Sequence, residues 1–396
     1  MKRPNWLLFA VLGFLVKIYA FLKGQRFISK IRIKGPAIVL SNHTSFYDFI
    51  YTTAAIYPSR INYMAASKMF YEPVLGSFLR LVRAFPKCLF QSDPVSTLNI
   101  FRILKLDGIV SIFPEGQISP IGVTQELSFS IAKLLRKAKV DIYLVKHHNA
   151  YLVNPPWSKK TFKGRIETTM KLIISKNSLL TMNERDIYDL IVKELTFNVS
   201  EFNQTLLYKY KVNEITNLES VIYQCPSCGY EGITSSHKHL QCPKCKSIFV
   251  YDEYGKISGS RLDDLYYRQV NTMKEKIDSS ENFCIESDVR LESYRNSKVE
   301  DVGEGHLTLT KTAYTFHGMI DGVKTTISFD PKNIPTLPSD LGRNVQIYEG
   351  YQIYQFVFKD VKMPTMFVIA SEYIHKLRIN AYNQEEQNKN EVKKVS

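Results

Sequence analysis

The sequence predicts three folded parts: an α/β domain with a mixed sheet flanked by helices, then a zinc ribbon, then a small, mainly β domain. Short apolar runs and helical patterns dominate the first half, two Cys-x-x-Cys pairs follow, and alternating strands fill most of the remainder. The 396 residues are 44% hydrophobic and 12% aromatic, which is enough for several cores and is not typical of a disordered chain.

A first candidate site follows the apolar run Ala37–Leu40, which predicts a short buried strand ended by Ser41 and Asn42 as a turn or helix cap. Histidine can take a proton from a hydroxyl near neutral pH, so His43 is a candidate general base. A carboxylate bonded to its other ring nitrogen would fix the tautomer. We expect Asp48, five residues on and across a helix start, to be that group.

A second candidate site follows the apolar run Ile109–Phe113, which places Pro114, Glu115 and Gly116 at the end of another strand. Open α/β sheets carry their ligand sites at the carboxyl ends of strands. Glycine at 116 would let the backbone approach a ligand closely, and Glu115 could bond acceptor hydroxyls or hold a neighbouring cation.

Taken together, His43-Thr44-Ser45-Phe46-Tyr47-Asp48 and Phe113-Pro114-Glu115-Gly116 resemble the motifs of the glycerophospholipid acyltransferase family, whose best-known members acylate lysophosphatidic acid. The resemblance covers residues 30–210, within a domain predicted at 31–212. It implies transfer of a fatty acyl chain from an acyl-CoA or acyl-carrier-protein thioester to a lysophospholipid hydroxyl, most directly that of 1-acylglycerol-3-phosphate. The acceptor hydroxyl would attack directly, so no serine or cysteine nucleophile is needed.

The stretch between the motifs is similar to the family's intermediate block, which lines the acceptor site. This similarity implies that Lys68, Arg83 and Lys87 are cations for the acceptor phosphate, although lysine lacks the planar fork of arginine. A fourth family block, an apolar strand with a proline, corresponds weakly to Ile142–Val145, where the proline is missing.

The chain departs from the family after Gly116, where Gln117 and Ile118 replace the usual threonine or serine and arginine. The change removes a bidentate phosphate partner. Two alternatives therefore stay open: an acyltransferase for a different lipid or glycolipid acceptor, and a catalytically degenerate scaffold that binds lipid.

The formal charge of +14 suggests a polyanionic partner, and the amino-terminal segment favours a membrane over nucleic acid. Eight basic residues precede the first acidic one, Asp48, and residues 6–22 are apolar except for Lys17. Seventeen helical residues are marginal for spanning a bilayer. We expect residues 1–30 to associate with one leaflet of the cell membrane. The basic residues within 23–34 would bind anionic lipid headgroups and keep the following domain on the cytoplasmic side. A secretory signal is the alternative, but no small-x-small cleavage pattern follows.

Later parts of the α/β domain carry helical patterns. Residues 127–139 predict a helix with a basic outer face, and Thr181 and Glu184 have capping-box spacing ahead of a helix reaching Leu195. The polar stretch 213–220 predicts a linker.

Four cysteines predict the zinc ribbon at 221–252. Cys225, Cys228, Cys242 and Cys245 form two Cys-x-x-Cys knuckles, which suit tetrahedral Zn²⁺ and leave no open coordination position, so the metal would be structural. Disulfides are the alternative. Cys88 and Cys284 are expected to be free thiols, and without a clear aromatic and basic stripe the ribbon gives little support to nucleic-acid binding.

Residues 285–383 are predicted to form the β-rich domain. Val345–Phe358 reads as a hairpin broken at Glu349-Gly350, residues 366–369 as a further strand, and Ser371 as the cap of a final helix. Antiparallel strands closed by one helix resemble the pleckstrin-homology-like folds, including GRAM domains. Such a domain would serve as an adaptor for a membrane or a partner protein, and the alternative is a module that only stabilises the chain. Residues 384–396 are predicted to be a disordered tail.

Overall fold

The computed structural model describes residues 1–89, 92–295, 298–350 and 352–395, with the backbone alone from residue 383 onward. Two compact units form. The first comprises Met1–Thr216, Ser235–Gln241 and Ser247–Asp263, and the second comprises Asn217–Thr234, Cys242–Lys246 and Asp264–Ser396. The first boundary, between Thr216 and Asn217, falls within the stretch predicted as a linker.

The first unit is built around a seven-stranded sheet. Its strands are β1 (Gln25–Phe27), β2 (Ala37–Ser41), β3 (Ile61–Ala66), β4 (Phe85–Lys87), β5 (Ile109–Ile112), β6 (Asp141–His148) and β7 (Ile166–Ile174). Its helices are α1 (Trp6–Leu22), α2 (Asp48–Ile56), α3 (Pro73–Leu81), α4 (Pro94–Leu104), α5 (Ser130–Ala138), α6 (Ala150–Val153), α7 (Lys176–Thr181), α8 (Glu184–Leu195) and α9 (Val199–Leu206).

The strand order is β1-β7-β6-β2-β5-β3-β4. All neighbouring strands are parallel except β6 and β7, so the sheet is mixed, as the sequence predicts. Every residue of β2 and β5 is buried, because helices cover both faces of the sheet. Since β2 and β5 are parallel neighbours, the loops that carry His43 and Glu115 leave the sheet at the same edge.

Helix α1 packs on α2, where the buried Gly13 leaves room for the ring of Tyr57. Its outer face exposes a row of large apolar side chains: Trp6, Leu7, Val11, Phe14, Leu15, Ile18, Phe21 and Leu22. Among the described residues, no helix is both long and apolar enough to cross a bilayer.

The predicted capping box at Thr181 is wrong. Thr181 is the last residue of α7, and Asn183 caps α8 instead by accepting a hydrogen bond from the backbone amide of Asp186 at 2.9 Å. Threonine and asparagine can both cap a helix. The capping-box spacing selected Thr181, but this residue ends α7 and the asparagine two residues later caps α8. The helix predicted at 127–139 is α5, which begins later, at Ser130.

The remaining elements comprise a sheet of three short strands, two helices and a second seven-stranded sheet. The strands are β8 (Thr234–Ser236), β9 (His239–Gln241), β10 (Ile248–Val250), β11 (Cys284–Arg295), β12 (Lys298–Thr310), β13 (Tyr314–Ile320), β14 (Val323–Phe329), β15 (Ser339–Asp340), β16 (Asn344–Glu349) and β17 (Gln352–Phe358). The helices are α10 (Leu262–Ser279) and α11 (Met363–Val395).

The second sheet is antiparallel throughout, with strand order β14-β13-β12-β11-β17-β16-β15. Strands β16 and β17 form the predicted hairpin, with Glu349 paired to Gln352. The mainly β character of this region is confirmed. Helix α10 and strand β11, which covers residues 284–295, had no counterpart among the elements predicted from sequence.

The strand predicted at 366–369 is wrong, because these residues belong to helix α11. A short apolar run does not distinguish a buried strand from a buried helix. Ser371, predicted as a cap, is buried inside this helix and accepts a hydrogen bond from the hydroxyl of Tyr314 on the sheet. The predicted tail, 384–396, is described only as helix backbone up to residue 395, and Ser396 lies outside the described residues.

Candidate active site and cysteine cluster

His43 lies in the loop between β2 and α2, and Asp48 is the first residue of α2. The Nδ1 atom of His43 is 3.2 Å from Oδ2 of Asp48. Phe113 stacks on the imidazole with ring centroids 4.4 Å apart. Because the carboxylate accepts at Nδ1, the proton lies on that nitrogen and Nε2 keeps its lone pair, which is the tautomer that a general base requires.

Asp48 is completely buried and is held by more than the imidazole. Its Oδ2 atom also accepts hydrogen bonds from the backbone amides of Thr44 at 2.7 Å and Ser45 at 2.8 Å. Burial raises the pKa of Asp48, while the contacts with His43, Ser45 and Thr44 act in the opposite direction. The same carboxylate therefore shapes the loop and orients the base.

Glu115 is also buried, and both of its oxygens are bonded to backbone amides. Oε1 accepts from the amide of His43 at 2.7 Å, and Oε2 accepts from the amide of Gln125 at 2.9 Å. The amide of Ser119 donates to the carbonyl of His43 at 2.8 Å. Glu115 thus holds the backbone amide of His43, and Ser119 holds its carbonyl. Burial raises the pKa of Glu115 to about 8.

Gly116 follows in a tight turn, with φ of 74° and its amide 3.1 Å from the carbonyl oxygen of Phe113. This left-handed backbone conformation favours glycine. Phe113 and Glu115, within this turn, both contact His43: Phe113 stacks on its ring, and Glu115 accepts a hydrogen bond from its backbone amide.

The three predicted cations do not come together. Lys68 follows β3 and Lys87 ends β4, and the pairing of Ala66 with Lys87 places both near the carboxyl edge of the sheet, on the side of His43. Lys87 Nζ is 3.9 Å from Asp93 Oδ2, and burial lowers the pKa of this lysine. Arg83 lies before β4, where its carbonyl accepts from Asn62 near the start of β3, so it stands toward the opposite edge.

The structure also reveals a residue that the sequence offered only as part of a turn. The side chain of Asn42 accepts from the amide of His147 at 2.8 Å and donates to its carbonyl at 3.0 Å. These two hydrogen bonds hold Asn42, the residue before the base, at the end of β6. No pattern in the sequence links two positions 105 residues apart.

This geometry falls within residues 22–147, which match the family model described as Acyltransferase. That segment belongs to the acyltransferase family. The match includes the loops of His43 and Glu115 and the start of α2 at Asp48, and it ends within β6.

Relatives of this acyltransferase segment cover only part of the chain. A 1-acyl-sn-glycerol-3-phosphate acyltransferase of Bacillus subtilis (strain 168) is 34% identical over 79 residues, which are 20% of this chain and 40% of that protein. The matched region thus spans less than half of the length of that relative.

Two solved structures show slight likenesses. The 1-acyl-sn-glycerophosphate acyltransferase of Thermotoga maritima is 15% identical, with coverage of 48% of this chain and 78% of that chain and a TM-score of 0.36. A structure of the PH and C1 domains of the Vav1 exchange factor is 12% identical, with coverage of 29% and 33% and a TM-score of 0.18. Likenesses this slight carry no argument for this chain.

Four cysteine sulfurs form a separate cluster. The Sγ atoms of Cys225, Cys228, Cys242 and Cys245 all lie within 4.8 Å of one another. The separations of 3.6 Å between Cys225 and Cys245 and 3.7 Å between Cys228 and Cys242 are far longer than a disulfide bond, and the thiols are free. Tetrahedral Zn²⁺ with bonds of about 2.3 Å places its sulfurs about 3.8 Å apart, so the residues fit this ion. Cys88 and Cys284 are free thiols, as predicted.

Proposed function

We propose that this chain is a membrane-associated O-acyltransferase that moves a fatty acyl chain from a thioester to the hydroxyl of a lysophospholipid, most directly 1-acylglycerol-3-phosphate. The observation that carries the proposal is the contact between His43 and Asp48 within residues 22–147, the segment that matches the acyltransferase family. This contact leaves the lone pair on Nε2 of His43, as a general base requires. The similar Bacillus subtilis protein is a 1-acyl-sn-glycerol-3-phosphate acyltransferase, which supports the choice of acceptor.

In the proposed reaction, Nε2 of His43 takes the proton of the acceptor hydroxyl as its oxygen attacks the thioester carbonyl. The carbon–oxygen bond forms, the carbon–sulfur bond breaks, and the imidazolium returns its proton to the departing thiolate. Asp48 stabilises the charged imidazole between these steps. The products are an ester and a free thiol, and the donor is acyl-CoA or an acylated acyl carrier protein.

For the acceptor phosphate, Lys68 and Lys87 are the candidates, because both lie near the carboxyl edge of the sheet that carries His43. Ile118 supplies no charge where the family has arginine. An acceptor with a smaller or differently placed anionic group, such as another lipid or a glycolipid, is therefore the second candidate.

The membrane part of the proposal rests on α1. Its outer face exposes eight large apolar side chains, while Lys17, Lys23, Arg26 and Lys30 lie over neighbouring aromatic rings. An apolar helix face bordered by cations is suited to lying in the headgroup region of an anionic leaflet. We propose that the protein is attached in this way to the cytoplasmic face of the cell membrane.

We also propose that the cysteine cluster holds one structural Zn²⁺. Four thiolates would complete the tetrahedral shell, so the ion would stabilise the knuckles and leave no position for a substrate.

The test is thiol release from an acyl thioester, measured with purified protein and a panel of lysophospholipid and glycolipid acceptors. We expect turnover with at least one acceptor, and we expect His43→Ala to lower kcat by about 10²- to 10⁴-fold. Unchanged release in that variant would remove His43 as the base. Binding of lipid vesicles without turnover on any acceptor would favour the scaffold.

A further inference from the structure

Helix α3 is nearly unburied although it is largely apolar. Of its nine residues only Gly76 is buried. Val74 is 85%, Phe78 43% and Leu81 55% exposed, and their spacing places them along one side of the helix. An exposed apolar stripe of this kind usually marks a contact with a partner or a membrane.

The helix is nevertheless held firmly along its inner side. Gly76 lies so close to the preceding turn that a Cβ atom there would stand 2.4 Å from the carbonyl oxygen of Phe70. Arg80 donates to the same oxygen at 2.8 Å. Pro73 opens the helix at a position that suits proline. The inner contacts therefore fix α3 in place with its apolar stripe facing outward.

One side chain joins the chain segments next to α1 and α3. The side-chain Nδ2 atom of Asn62 donates both to the carbonyl of Lys2, at 3.1 Å, and to the carbonyl of Arg83, at 2.9 Å. The segment that precedes α1 and the segment that follows α3 are thus held by the same side chain. Trp6, the first residue of α1, and Leu81, the last residue of α3, are both more than half exposed.

The surroundings of α3 are positively charged. Residues 67–87 contain four cations and one acidic residue, Glu72. The cations are Lys68, Arg80, Arg83 and Lys87. An apolar stripe with a cationic border complements an anionic lipid surface, where the side chains enter the acyl region and the cations meet headgroup phosphates.

We propose that α3 is a second lipid-inserting element, which enters an anionic bilayer beside α1. The proposal rests on the membrane association proposed above and adds a second point of contact to it. Lys68 precedes α3 and Lys87 follows it, so lipid contact through this helix brings the predicted phosphate-binding side of the sheet to the headgroup layer, where a lysophospholipid resides.

The first experiment measures binding to vesicles of phosphatidylcholine and phosphatidylglycerol by flotation. Phe78→Ser combined with Leu81→Ser should weaken partitioning by about tenfold for each side chain. The matched control is Leu180→Ser, which alters a side chain that is 66% exposed on α7. It should bind as the unchanged protein does, and turnover of a monomeric, short-chain lysophospholipid should be the same in all these variants.

A fluorescence measurement locates the helix directly. Phe78→Trp is made in a Trp6→Phe background, where the remaining tryptophan, Trp157, is buried. Vesicles containing brominated phosphatidylcholine should quench the new indole strongly, and the same reporter introduced by Leu180→Trp should stay bright. An unquenched Phe78→Trp reporter on protein that is bound to vesicles would overturn the proposal.

Two further outcomes separate this inference from the proposed function. If Phe14→Ser with Ile18→Ser abolishes vesicle binding while the α3 variant binds normally, α1 acts alone and the inference about α3 fails. If the unchanged protein does not bind vesicles, the proposed membrane association itself fails. A dimer in light scattering that the α3 variant converts to a monomer would show that a second copy covers the stripe and would also overturn the proposal.

Discussion

Replacing Glu115 by glutamine removes one of the two acceptors that join the loop of His43 to the segment at Gln125. Glutamine offers a single carbonyl oxygen, so its NH₂ group must face one of the two backbone amides. Leaving one buried amide without an acceptor costs about 1–3 kcal/mol. At pH 5 we therefore expect the free energy of unfolding of Glu115→Gln to be about 1–3 kcal/mol lower than that of the unchanged protein.

The difference between the two proteins should depend on pH. Burial raises the pKa of Glu115 from 4.5 to about 8, so the folded chain holds this proton more tightly than the unfolded chain. Stability from this group is fully present below pH 4.5 and is lost as the pH rises through about 8, a total of about 5 kcal/mol. The amide does not titrate. Because this loss is larger than the cost of the missing acceptor, the variant should exceed the stability of the unchanged protein near pH 8.5.

The assay is urea unfolding between pH 5 and pH 8.5 in a Trp6→Phe background, followed by the fluorescence of Trp157, which is buried in the first unit. Gln125→Ala is the matched control, because it keeps the backbone amide that Glu115 accepts from and should retain the pH dependence. A difference between Glu115→Gln and the unchanged protein that stays constant with pH would refute the argument from burial.

Kinetics at pH 7.5 distinguish positioning from substrate contact. If Glu115 holds the base, the glutamine variant should lower kcat by about 10- to 100-fold with little change in KM for the acceptor. A raised KM for the acceptor with an unchanged kcat would instead assign Glu115 to the acceptor hydroxyl, a role that its place at a strand end suggested from the sequence.

Three other perturbations test the site, the cluster and the fold. Asp48→Asn should lower kcat by about 10²- to 10⁴-fold with little effect on KM, because the amide no longer selects the tautomer of His43; a normal kcat would exclude its orienting role. Cys242→Ser should lose bound zinc in elemental analysis and lower the Tm, and metal-free unchanged protein purified under reducing conditions would refute the zinc site. Asn183→Ala should lower the free energy of unfolding by about 1 kcal/mol in chemical denaturation, and Thr181→Ala should lower it much less. The reverse order would show that Thr181 caps α8.

Local patterns predicted much of the first unit. Apolar runs identified β2 and β5, and the residues just beyond them, His43 and Glu115, lie at one edge of the sheet because both strands are parallel. The same reasoning failed at residues 366–369, because burial on a sheet produces an apolar run in a helix as readily as in a strand.

The sequence by itself determined the chemistry available to this protein: a histidine and a carboxylate at short spacing, a glycine turn after a buried strand, and four thiols in two knuckles. The tertiary structure decided how these groups are used. It turned both oxygens of Glu115 onto backbone amides, placed Arg83 away from Lys68 and Lys87, and joined Asn42 to His147. Short spacing limits which side chains can meet, whereas contacts between distant segments depend on strand order and on burial, which a local pattern does not contain.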